Sequence, residues 1–135
     1  MIQANELRKG SWVKRNDSNV CVTQILWNRV EVVRDKNGKK KYYECPFEDL
    51  APIELTPGSM SGFGFIKHEL FPHLNVFYHS KYYMTINIIA NTYEVSFGLI
   101  AESIAMVYQK NMYLHQLQNL FFSLTNEELT INFGD

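Results

Sequence analysis

A chain of 135 residues, 46% apolar and 14% aromatic, suits one compact domain or two very small ones sharing a core, and it is too apolar to be disordered. No apolar run reaches the roughly 18 residues of a membrane span, and Met1-Ile-Gln-Ala-Asn-Glu6 lacks the basic start and apolar centre of a signal peptide, so a cytoplasmic protein is expected. The net charge of −1 hides an asymmetry: residues 1–53 hold ten Lys/Arg against seven Asp/Glu, and residues 54–135 hold three against seven.

The first fifty residues predict a small antiparallel β unit. Ser11–Arg15 is a short strand entered through Gly10, and Asn16-Asp-Ser-Asn19 is a turn, since Asn and Asp tolerate left-handed backbone. Val20–Trp27 and Val30–Arg34 are the next strands. Asp35-Lys-Asn-Gly38 is the clearest hairpin signal, with Asn-Gly supplying two positive φ values, and Lys39–Glu44 returns. Four or five short strands with tight turns point to an SH3-like barrel over residues 1–53. Cys21 and Cys45 are expected as two buried thiols, because two cysteines make no disulfide framework.

Residues 54–135 predict an α+β unit, expected to form one compact body with the first. Thr56-Pro57 is an N-cap followed by Pro at the first helical position, opening a turn kept short by Gly58, Gly62 and Gly64. Strands are expected at Phe65–Leu70, Asn75–His79, Tyr82–Ala90, Tyr93–Phe97 and Ser103–Tyr108, with Asn91-Thr92 as a hairpin turn. The helix, residues 112–124, carries Tyr113, Leu114, Leu117, Leu120, Phe121 and Leu124 on one stripe. Asn126 should end it in left-handed backbone, Thr125-Asn-Glu-Glu128 has the spacing of a capping box for one further turn, and Thr130–Phe133 is expected as an edge strand. The fold class is α+β, with an antiparallel sheet packed on one C-terminal helix.

Catalytic chemistry finds little to stand on. His68, His73, His79 and His115 match no zinc spacing, so no metal and no cofactor are expected. Gly58-Ser-Met-Ser-Gly62 is not a nucleophile elbow, since a capped turn surrounds it, and Gly62-Phe-Gly64 lacks the third glycine and the helix of a phosphate loop. Glu127 and Glu128 diverge by about 100° on a helix and cannot share a proton.

Two surfaces remain. Lys39-Lys-Lys41 beside Tyr42-Tyr43, with Arg34 and Lys14, pairs cations with aromatic rings, as RNA or single-stranded DNA recognition requires. The competing explanation is that the lysines blunt an edge strand against aggregation. Phe122, off the apolar stripe beside His115, Gln118 and Asn119, makes a protein-contact patch unless the basic lobe or Ile131 and Phe133 cover that side.

Glu6-Leu-Arg-Lys-Gly-Ser-Trp-Val13, Ile53-Glu-Leu-Thr-Pro57 leading to Gly64-Phe65, and Tyr113-Leu-His-Gln-Leu-Gln-Asn-Leu-Phe-Phe-Ser-Leu-Thr-Asn-Glu-Glu-Leu129 together resemble a family of small proteins encoded by phages and prophages of Bacteroides-like bacteria. Asn126 departs from the Gly expected there in many relatives and keeps the turn. The family carries no assigned activity, so the resemblance implies an origin in the cytoplasm of a bacterial host cell and no site residues. With no catalytic motif, that origin leads us to expect a stoichiometric inhibitor of host defence, an anti-CRISPR-like protein gripping an RNA-guided nuclease effector or its guide RNA. A virion or assembly component without a nucleic-acid role is the alternative.

Overall fold

Tight turns cut the chain into short strands. In Lys36-Asn-Gly-Lys39 the central residues take φ of 56° and 79°, and in Arg15-Asn-Asp-Ser18 φ of 50° and 65°. Two successive positive φ values match the twist of the flanking strands, which is why Asn, Asp and Gly occupy these sites. The structure, a computed structural model, describes residues 2–70, 73–82, 84–97 and 105–133.

The backbone divides into two units, Met1–Glu54 with Tyr113–Asn119, and Leu55–Met112 with Leu120–Asp135. The helix expected wholly in the second unit is thus shared, its first half belonging to the first.

The first unit holds strands β1 (Trp12–Arg15), β2 (Ser18–Ile25), β3 (Val30–Lys36), β4 (Lys39–Cys45) and β5 (Leu50–Ala51), in the antiparallel order β4-β3-β2-β1-β5. A 3-10 turn, Phe47–Asp49, precedes β5, which completes a five-stranded antiparallel sheet. One face is apolar because strand side chains alternate: Val13, Val20, Val22, Val30 and Val32 are buried with Ile2, Leu7, Cys45 and Leu50, and Tyr43 and Phe47 close the core at its edge. Each fully buried valine contributes about 1.5–3 kcal/mol of transfer free energy. A bulge shifts the β2–β3 register between Val22 and Gln24, and Thr23 Oγ1 there donates to the Glu31 carboxylate at 2.7 Å.

The second unit is a meander: β6 (Phe65–Lys67), β7 (Asn75–His79), β8 (Met84–Ile89), β9 (Thr92–Phe97) and β10 (Ala105–Lys110) pair in the order β10-β9-β8-β7-β6. Met84, Ile86 and Ile88 alternate inward, as the sequence pattern requires. Tyr83 and the start of the expected Ser103–Tyr108 strand lie outside the described residues. The β8–β9 turn falls at Ala90-Asn91, one residue before the expected Asn91-Thr92, with Ala90 at φ 54°. Thr56 caps a 3-10 turn, Pro57–Phe63: Ser59 Oγ accepts the Thr56 N–H at 3.1 Å and donates to the Thr56 carbonyl at 2.9 Å.

Helix α1 (Leu114–Thr125) ends at Asn126, φ 59°, as expected. Two expectations beyond it are corrected. No further helical turn opens at Thr125, because its hydroxyl donates back to the Phe121 carbonyl at 2.8 Å and accepts the Glu127 N–H at 3.1 Å. Residues 130–133 form no strand; Asn132 donates instead to the Gly62 carbonyl at 2.8 Å, and Phe133 meets Phe63 edge-on at 5.9 Å. A Cβ at Gly62 would run into the Asn132 carbonyl oxygen, so this docking needs glycine.

Candidate nucleic-acid interface

The β3–β4 hairpin outruns the sheet that carries it. Pairing of β2 with β3 goes no further than Cys21 opposite Val33, whereas β3 and β4 stay paired to Lys36 opposite Lys39. The end of the hairpin is therefore a two-stranded ribbon holding five cations and one carboxylate, Asp35, and all of residues 35–42 are exposed.

Strand alternation sorts these side chains by face. Val30 and Val32, opposite Cys45 and Tyr43, face the core; two steps further, Arg34 lies opposite Lys41, and then Lys36 opposite Lys39. One face of the ribbon thus runs from core to cation, with four positive charges in two facing pairs. Tyr43 marks the boundary. Its ring is half-buried against the core, and the Arg15 guanidinium sits over it with Cζ 4.8 Å from the ring centroid. The other face carries Lys40 opposite Asp35, and Tyr42, 58% exposed, opposite Val33.

Of the residues singled out in the sequence, the fold brings Arg34, Lys39, Lys41 and Tyr43 onto one face. Lys40 stands on the reverse. Lys14, opposite Asn19 and Ala51 and in step with Trp12, points to that same reverse face, with β2 and β3 between it and Lys40.

The surface expected from His115, Gln118, Asn119 and Phe122 is corrected. His115 and Gln118 are each 1% exposed. Gln118 Oε1 accepts the Trp12 N–H at 2.8 Å and its Nε2 donates to the Gly10 carbonyl at 2.9 Å; Asn119 donates to the Glu6 carbonyl at 2.7 Å and accepts from Arg8 Nε at 2.8 Å. These amides replace missing strand partners for the Glu6–Trp12 backbone, which is why a polar helix face is buried. Phe122, 37% exposed, keeps some access to solvent.

His115 sits 3.9 Å from Glu6 Oε1, beyond hydrogen-bond range, and neither of its ring nitrogens finds a partner. Burial, outweighing the Glu6 carboxylate, lowers its pKa and holds the ring neutral. Burial and then Lys81 likewise lower His79, whose ring packs among Phe65, Tyr82 and Phe121. Burial raises the Cys45 thiol against the pull of Arg15. Cys21, expected buried, is half-buried. Among the described residues no group of three His, Cys, Asp or Glu side chains could hold a metal ion, and no helix is long and apolar enough to cross a membrane.

Sequence reasoning missed Trp27. It was expected at the end of β2, but β2 ends at Ile25, two residues beyond the bulge at Thr23, and Leu26 N–H donates to the Arg29 carbonyl at 2.8 Å to close a loop with Trp27 96% exposed. The signal was Trp-Asn-Arg between two β-branched runs, a loop rather than a strand end.

Comparison of the chain with protein-family models, curated proteins and solved structures returns no match.

Proposed function

We propose that the protein is a non-enzymatic, phage-encoded RNA-binding inhibitor that acts on an RNA-guided host nuclease by gripping its guide RNA through the β3–β4 ribbon. The observation that carries this reading is the ribbon itself, where Arg34, Lys36, Lys39 and Lys41 line one face of a hairpin that projects past its sheet. Four cations gathered this closely repel one another, and a polyanion relieves that repulsion while releasing its own counterions. Edge protection by charged side chains requires no hairpin projecting past its sheet. The resemblance to phage-encoded proteins supplies the setting in which such a grip is useful. Co-expression with an RNA-guided effector is expected to spare a target transcript or an infecting phage, and K39A/K40A/K41A to abolish the protection. Full target cleavage across a panel of effectors would overturn the proposal.

A further inference from the structure

The ribbon is one end of a longer feature of the first unit. Strand β3 runs from the cationic hairpin to the loop of residues 26–29, a seven-residue span of about 20 Å. Trp27 stands at the far end, and the edge strand β4 exposes Tyr42 between them. Along the length of β4 the order is therefore cations, ring, ring, with Tyr42 on the face of Lys40 and Asp35, the reverse of that of Arg34, Lys36, Lys39 and Lys41. Arg29 lies two residues after Trp27, with its guanidinium 3.6 Å from Glu44, and a shallow groove of about 540 Å³ is lined by Leu7, Lys9, Thr23 and Ile25 among others, the last adjoining the loop in sequence.

We infer that this edge is a track for a single strand of RNA that crosses the open edge of β4, with phosphates on the lysine ribbon and unpaired bases stacked on Tyr42, on the face of Lys40, and on Trp27. The inference rests on the RNA-binding reading and narrows it to single-stranded ligand. Tryptophan is the side chain with most to gain from burial, yet this one is left in water on a loop closed by its own hydrogen bond, so nothing within the unit recovers its surface. An indole and a phenol with cations beside them match base faces joined by phosphates. In a duplex those faces are already covered by neighbouring bases, so only unpaired nucleotides fit. The span corresponds to a site of about four nucleotides, at the short end for single-strand binders. Glu31 and Glu44, facing each other between Tyr42 and Trp27, disfavour a phosphate there, which places the bases rather than the backbone over that row.

The test is intrinsic fluorescence of the full chain titrated with decauridylate and with a ten-base-pair RNA duplex. Decauridylate is expected to quench the emission and the duplex is not, with the quenching gone in W27F. Trp27→Leu and Tyr42→Leu should each weaken single-strand binding about tenfold without changing its salt dependence, and both sites are exposed enough to leave folding intact. Salt-sensitive, lysine-dependent binding with emission unmoved and W27L unimpaired would overturn the track while leaving the RNA-binding reading in place. Absence of salt-sensitive binding to either RNA would remove both. Quenching by an RNA-free effector protein but not by decauridylate would overturn the track in favour of protein docking at Trp27.

Discussion

Two polar stretches, Lys39–Tyr43 in β4 and His115–Asn119 in α1, look alike in the sequence, since both set hydrophilic groups beside aromatic rings. The fold treats them oppositely. Apart from the half-buried ring of Tyr43, the first is left in water at the end of a hairpin; the second is buried and bonded to the backbone of residues 6–12. The difference lies in the functional groups. Carboxamides donate and accept at once, so Gln118 satisfies an N–H and a carbonyl together, as a neighbouring strand would. An ammonium only donates and is strongly hydrated, so lysines resist burial without a counter-charge. A polar residue on a helix thus marks a surface only if its chemistry cannot substitute for a backbone partner.

The sharpest way to break this contrast is at Gln118. Gln118→Leu strands the Trp12 N–H and the Gly10 carbonyl, and we expect it to lower unfolding stability by about 2–4 kcal/mol, read from urea denaturation. A loss below half a kcal/mol would return Gln118 to the surface. The pH dependence probes the same region. His115 is held neutral by burial, so the unfolded chain takes up protons the native protein refuses. Stability should be full above the ordinary imidazole value of about 6.5 and fall as pH drops through it. His79, lowered for the same first reason, adds to that slope, so His115→Asn should flatten the urea-midpoint profile between pH 7.5 and 5.5 without abolishing its tilt. Glu6 acts at lower pH: its carboxylate is depressed chiefly by the Gln3 backbone N–H at 2.7 Å, so its contribution is lost only as pH falls through that depressed value. At the other pole, K39A/K40A/K41A should change stability by no more than about half a kcal/mol, since these side chains make no core contact.

Where the sequence was legible, a local rule decided the outcome. Asn37-Gly38, Asn16-Asp17, Thr56-Pro57 and Asn126 each act through their own backbone preference, so their turns and caps stand within a residue of where pattern reading puts them. The cationic face of the hairpin follows from strand alternation alone. The misses are all places where distant residues decide. The bulge at Thr23, held by Glu31 on the facing strand, is invisible to strand alternation, and β2 ends two residues beyond it, leaving Trp27 in a loop rather than at a strand end. Residues 130–133 pair with Gly62 rather than a strand edge, and the amides of α1 reach residues more than 100 positions away. Helical period finds the apolar stripe of α1 and is silent on its polar side.

The central claim is that the β3–β4 ribbon is a phosphate-binding surface. It is tested most directly by measuring single-stranded RNA affinity against salt concentration for the wild-type protein and for K39A/K40A/K41A. The expected result is a linear log–log dependence whose slope shrinks by about 2, near 0.7 for each lysine removed. Equal slopes for the two proteins, or no RNA binding by the wild type at low salt, would contradict it.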